Sequence, residues 1–502
     1  MNFLKYHYVC DDLQVLGDTE KSGLSVPRSK IIEKLIHPFI KKYLPLVEKY
    51  PEVIANHPYT MRHYIWLNDL PKYFCLKTVW MILRGRAYWE EINMLNHIIP
   101  ATLHLINSIL IYLVFGHNPV SLLAAMLFLI HPLHTEVSIW LSAKHYSITT
   151  TIVLLAWGLP LLAPFLFLLS PFWFFCANGL FSPLVFLLRP DWFSLIALMS
   201  IWTIYSKSRN MFGKDKDGKY INGKLQAYAK NTVALSLNPG KIIIGLKFYG
   251  YFLANSIFAL HYSFYQSYMD DFIDTQEGIE RGYRLDKYFF IGVLGIFILI
   301  TNLIWNYNLA VFGLFWATVN VFMWCNVINT GQQYIANRYY YLANVGICLM
   351  LAYSLIGYPW IAGLLLGWYL RQLIPAIKQF KNVYWHFFYQ IADEPDFYYS
   401  WINMGNMNFN RGHFSTAIGD YEQALILRPN NFKALFNLSG CWIARGRIDR
   451  AIICLEKSRK ADVYAQEETA AKVIKDRMEL INKFVAAKGN IKLKISDIPT
   501  VA

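Results

Sequence analysis

The densest group of residues able to do chemistry is His131-Pro132-Leu133-His134-Thr135-Glu136, which follows an apolar run and precedes Trp140 and Lys144. On a helix, two imidazoles at this spacing with a nearby carboxylate could ligate a metal. With Lys144 supplying charge and the histidines hydrogen bonds, the same residues suit an anionic headgroup at the membrane edge. They also suit a satisfied polar hinge between two spans. Pro132 stands inside the motif and no further ligand cluster accompanies it, so the anion reading is preferred to the metal one. A second group is Asn337-Arg338-Tyr339-Tyr340-Tyr341-Leu342 at the mouth of another apolar run. Its guanidinium fork could hold a phosphate, or the group could be a snorkelling arginine in a tyrosine belt. A third is Asp11-Asp12. Paired carboxylates can serve a general base, and can equally form a solvated turn.

The elements that must position these groups follow from composition. The 502 residues include 47 Lys+Arg and 33 Asp+Glu, a net charge of +14, yet only 16% are charged, 55% are hydrophobic and 17% aromatic. Soluble domains carry about 25% charged residues. The balance excludes a disordered chain and argues against an ordinary soluble enzyme. The basic excess is spread thinly beside long apolar runs, which points to a membrane and not to nucleic acid. The seven cysteines are scattered without a C-x-x-C pair, so they indicate neither a zinc ribbon nor a disulfide framework.

Residues 1–95 contain no stretch long enough to span. Residues 30–50 place Ile32, Leu35, Ile36, Phe39 and Ile40 at helical spacing among lysines, as an interfacial helix or a soluble amphipathic one would. Residues 73–89, with Trp80, Tyr88 and Trp89, have the aromatic character of a second interfacial element. Spans are expected at 96–115, 118–131, 147–163, two or three within 164–205, then 287–304, 307–327, 342–357 and 359–375. Residues 206–246 read as a basic polar loop, and 377–502 as a soluble helical domain.

That last domain repeats itself. Trp401, Gly405, Gly412, Phe414, Ala417, Tyr421, Ala424 and Pro429 fall where a tetratricopeptide repeat (TPR) places its packing faces and terminal proline. Leu435, Leu438, Trp442, Gly446, Ile448, Ala451 and Leu455 follow in the same phase, with Ser458 at an expected alanine and Val463 at an expected proline. The spacing predicts repeats over about 398–431 and 432–465 and a capping helix over 466–488. The fold class expected is all-α: a polytopic transmembrane domain over 96–376, then a short α-solenoid.

The order of these motifs resembles the GT-C class membrane glycosyltransferases with C-terminal TPR repeats, related to the transmembrane and tetratricopeptide-repeat O-mannosyltransferases. The carriers are YVCDDLQVLGD; His97, His104, Asn107 and Tyr112 in the first span; His131, His134, Glu136 and Trp140; FALHYSF at 258–264; and ANRYYYLANVG at 336–346. The resemblance implies a GT-C fold and transfer, with inversion, of a sugar from a polyprenyl-phosphate carrier, dolichyl or undecaprenyl, to a hydroxyl acceptor such as protein Ser/Thr. Asp11 or Asp12 would be the base. His131, His134, Glu136, Lys144, Arg338 and Tyr339 would surround the lipid phosphate, and His97, His104, Asn107 and His261 would support them at the membrane face. The TPR domain would bind the acceptor protein. No cofactor is required by this reading, although a divalent cation is compatible with it, and no nucleic acid is expected. Mannose follows from the named relatives alone. The implied setting is a multi-pass protein of the bacterial inner membrane or endoplasmic reticulum.

Several positions depart from the family pattern. Lys144 replaces Arg, His261 an Asp, Cys176-Ala177-Asn178 a Lys-Glu pair, and Asn337 an acidic residue. The family also has a span ahead of its Asp-Asp, which implies one upstream of Met1 or its loss. A catalytically degenerate, membrane-anchored TPR scaffold is therefore the alternative. Three spans within 164–205 would place Arg338, the basic loop and the TPR domain on the side of residues 1–95.

Overall fold

The computed structural model describes residues 88–139, 143–163, 239–263, 268, 282–321, 325, 336–459, 461 and 467–486. Asp11, Asp12, Trp140, the interfacial stretches up to residue 87, the region 164–205 and the loop as far as residue 238 lie outside them. All regular structure among the described residues is helical. The chain forms two compact units, parted between Lys381 and Asn382.

The first unit opens with α1 (Tyr88–Val114), which begins at the aromatic pair expected to close an interfacial element and carries Pro100 inside it. A turn with Gly116 and His117 at φ of 108° and 54° leads to α2 (Pro119–Ile130). Asn118 caps α2 by accepting from the Ser121 N–H at 3.0 Å, while Ser121 Oγ accepts from the Asn118 N–H at 3.0 Å. Proline at position 132 cannot continue the ladder. The chain passes through a 3₁₀ turn, Pro132–His134, into α3 (Thr135–Ile139), bent 56° from α2. The expected span 118–131 is thus a short helix that ends at its polar motif.

Then come α4 (Lys144–Gly158), α5 (Pro239–Phe258), α6 (Lys287–Trp305) and α7 (Leu309–Val321). A 3₁₀ turn, Asn337–Tyr340, enters α8 (Tyr341–Leu355), and α9 (Pro359–Lys378) completes the unit. Helix α5 corrects the sequence reading, which assigned 206–246 to a polar loop and saw no span near 250. Lys247 had masked its apolar character; it is buried, paired with Asp286 at 3.0 Å, and donates to the Arg284 carbonyl at 3.0 Å. Asp286 in turn caps α6 by accepting from the N–H groups of Tyr288 and Phe289. Among the described residues α6 and α9 are long and apolar enough to cross a membrane, and α2 with α3 would be a third if counted as one broken span.

Close helix pairs are set by glycine. A Cβ on Gly250 of α5 would lie 1.8 Å from the Tyr288 carbonyl oxygen, and one on Gly313 of α7 would lie 2.4 Å from that of Gly346 in α8. Lacking a Cβ, glycine lets the paired backbones approach this closely.

The second unit contains α10 (Val383–Asp393), α11 (Tyr398–Asn410), α12 (Phe414–Leu427), α13 (Phe432–Ala444), α14 (Ile448–Arg459) and α15 (Glu467–Ala486). Gly412 and Gly446, at φ of 79° and 71°, end α11 and α13 in the left-handed conformation that glycine tolerates best. Gly405 is obligatory for another reason: a Cβ there would lie 2.6 Å from the Tyr421 ring.

Candidate functional site

Glu136, in the first turn of α3, meets Arg338, in the turn that enters α8. Arg338 Nη1 donates to Glu136 Oε1 at 2.5 Å, and the Arg338 backbone N–H donates to Oε2 at 3.0 Å. The side chains are 2% and 13% exposed for Glu136 and Arg338, so the pair is largely withdrawn from solvent. The guanidinium also lies over the Tyr339 ring at 4.9 Å. One carboxylate thereby fixes both the backbone and the fork of the arginine.

Three imidazoles adjoin α8 in one layer. The rings of His131 and His134 stack at 4.8 Å, and His104 meets His134 edge-on at 5.4 Å. A neutral imidazole has one donor and one acceptor. His104 donates from Nε2 to the Leu129 carbonyl at 3.0 Å, and its Nδ1 lies 2.7 Å from Tyr341 Oη. Asn107 donates to that same Tyr341 Oη at 3.3 Å, which leaves the tyrosine proton for His104. His131 donates to the Ser256 carbonyl at 2.8 Å and accepts from the Leu133 N–H at 3.3 Å. His134 donates to the Phe128 carbonyl at 2.8 Å, and Asn344 Nδ2 reaches its Nε2 at 3.1 Å. Both nitrogens of every ring are engaged, so these histidines hold backbone in place and present no lone pair to a metal. Among the described residues no group of three or more His, Cys, Asp and Glu side chains is placed to hold a metal ion.

The C-terminus of α5 closes the layer. Tyr369 of α9 donates to the carbonyls of Ser256 and Ile257 at 3.1 and 2.8 Å, and Trp368 to that of Phe258 at 2.6 Å. Asn337 reaches onward to the carbonyls of Tyr262 and Ser263 at 3.2 and 2.8 Å, beside His261, whose backbone N–H is held by Asn255 at 2.8 Å. Next to the three histidines opens a cleft of about 190 Å³, walled by Ala101, Leu129, Ile139, Leu373 and Ile377.

Of the residues singled out by sequence, His104, Asn107, His131, His134, Glu136, Arg338 and Tyr339 converge here, and His261 adjoins through its own segment. Lys144 stands in the first turn of α4 and His97 within α1, their side chains outside the described positions. Sequence reasoning missed Tyr369 and Asn344, whose partners lie far along the chain, and Lys247, a lone cation in an apolar run that could have been noticed.

The second unit has its own buried polar group. Asn406 Oδ1 accepts from Tyr421 Oη at 2.7 Å and from Asn437 Nδ2 at 2.8 Å. Arg477 of α15 lies over the Phe436 ring at 4.1 Å and donates to Ser439 Oγ at 3.2 Å. Burial draws its guanidinium down to about 10, so it remains charged at neutral pH.

Residues 409–463 match the tetratricopeptide repeat family. No curated protein and no solved structure gives a match to the chain. The match covers α12, α13 and α14, whereas Trp401 and Gly405, read as part of the first repeat, stand in α11 ahead of most of it. Such repeats stack into surfaces that bind other proteins.

Proposed function

We propose that the protein is a multi-pass membrane glycosyltransferase of GT-C type, moving a sugar from a polyprenyl-phosphate carrier to a hydroxyl acceptor on protein. The observation that carries this reading is the Glu136–Arg338 pair, through which motifs 202 residues apart meet, while Thr135, the residue before Glu136, lines the apolar cleft. An isoprenoid phosphate needs an apolar wall for its chain and a fixed cation for its charge. Arg338, held by Glu136, is such a cation, and a donor oriented in advance stabilises a leaving phosphate without reorganisation. Asp11 or Asp12 takes the acceptor proton, the acceptor oxygen bonds to the anomeric carbon, and the bond from that carbon to the phosphate oxygen breaks. The histidines act by positioning the α2–α3 bend and the end of α5, and the TPR unit binds the acceptor protein.

One observation favours the alternative of a TPR scaffold anchored in the membrane. Arg338 is already neutralised by Glu136, as a purely structural arginine would be. The test is sugar transfer from a radiolabelled polyprenyl-phosphate donor to protein, using membranes containing the full chain. The double variant Asp11→Asn, Asp12→Asn should abolish transfer while the protein accumulates normally. Unchanged transfer would refute the enzyme reading.

A further inference from the structure

Helix α10 has a face that neither the site nor the repeats account for. Tyr384, Trp385, Phe388 and Tyr389 are half-buried or exposed, with Phe388 43% exposed, whereas His386, Phe387 and Gln390 are buried. The aromatic side chains pack on one another: Trp385 meets Phe388 edge-on at 5.3 Å and stacks with Tyr389 at 5.7 Å, and Tyr384 stacks with Phe388 at 6.3 Å. A run of large aromatic rings on one face of a short helix exceeds what a water-facing surface normally carries.

Chain continuity indicates what covers it. The apolar helix α9 ends at Lys378 and α10 begins at Val383. The intervening residues span at most about 3.5 Å each, so α10 starts within reach of the surface where α9 leaves the bilayer. Lys378 and Lys381 are exposed in this connection, and the Arg411 guanidinium lies over Tyr384 at 4.6 Å. Aromatic rings with a polar or cationic edge are favoured at headgroup depth, and clustered cations add attraction to anionic lipids. We infer that α10 lies in the membrane interface, with the Tyr384–Trp385–Phe388–Tyr389 face against lipid headgroups and upper acyl chains. This inference is independent of the proposed enzyme activity and needs only that α9 crosses the bilayer. An interfacial α10 tethers the repeats to the membrane surface, where an acceptor or partner protein must be presented.

The test places the photoreactive analogue p-benzoylphenylalanine at Phe388 of the full chain in its membrane. The same analogue goes at Leu364, 68% exposed on α9, as a lipid-facing control, and at Ile453, 52% exposed on α14, as a water-facing control. After irradiation, mass spectrometry should find lipid adducts at 388 approaching those at 364 and several-fold above those at 453. Adducts to a second copy, to another protein or to a different part of this chain at 388 would overturn the inference. So would lipid labelling at 364 with only background at 388, or background at both positions.

Discussion

Glu136 holds Arg338 twice, through the guanidinium and through the backbone N–H, so one carboxylate joins the α2–α3 bend to the entrance of α8. Removing one member of a buried pair leaves the other charge uncompensated, at a cost of about 3–5 kcal/mol. Glu136→Gln and Arg338→Met should each destabilise the purified chain by this order. The double variant should lose less than the sum by at least about 1 kcal/mol, because it leaves no lone charge. Denaturant-induced unfolding in detergent measures all four proteins, and additive losses would show that the pair is uncoupled.

Tyr341 gives its proton to His104 and accepts from Asn107, so Tyr341→Phe leaves the His104 Nδ1 without its donor and one Asn107 N–H without its acceptor, while Asn107 keeps its bond to the Ser147 carbonyl at 2.9 Å. The expected loss is about 1–3 kcal/mol. Tyr353→Phe, on the same helix but 42% exposed, should be close to neutral. Equal losses at the two positions in thermal unfolding would remove the special role given to Tyr341.

The glycines give a sharper contrast. A Cβ at Gly313 would sit 2.4 Å from the Gly346 oxygen, whereas one at Gly363 would meet nothing within 4 Å. Gly313→Ala must therefore push α7 from α8 and should lower the folded yield and melting temperature clearly. Gly363→Ala should stay within about 1 kcal/mol of the parent. Similar behaviour of the two would mean that α7 and α8 do not cross this closely.

These contrasts mark how far the sequence could be read. The repeat lay open because its signal is local: Gly412 and Gly446 stand 34 residues apart, and Gly405, Ala417, Tyr421 and Ala424 fill one hairpin. The family match to 409–463 bears out a tetratricopeptide repeat over those residues. The pairing of Glu136 with Arg338 has no local signal, since spacing cannot say which of several buried polar residues will meet across 202 positions. The histidines were legible as a cluster but not in their roles, because their main partners are backbone carbonyls of Leu129, Ser256 and Phe128, which carry no sequence signature. Helix α5 stayed hidden because Lys247 reads as polar until its partner Asp286 is seen.

Asp420 supplies a pH test in the repeat unit. Its carboxyl is raised above the ordinary aspartate value by burial, only partly offset by a hydrogen bond from Asn408 Nδ2 at 2.7 Å. A carboxyl whose folded-state value is raised binds its proton more tightly folded than unfolded. Ionising it therefore opposes folding: the cost is absent below the unfolded value, grows as pH rises from the unfolded to the folded value, and is complete above the folded value. Asp420→Asn keeps an oxygen to accept from Asn408 and carries no charge. At neutral pH amide hydrogen exchange over 414–427 in the full chain should be slower in the variant than in the parent. Compared at equal pH, the difference should shrink as pH falls and vanish below the ordinary aspartate range near about 3.9. A variant that exchanges faster than the parent at neutral pH would show instead that the ionised carboxylate stabilises the hairpin of α11 and α12, and that its hydrogen bond outweighs its burial.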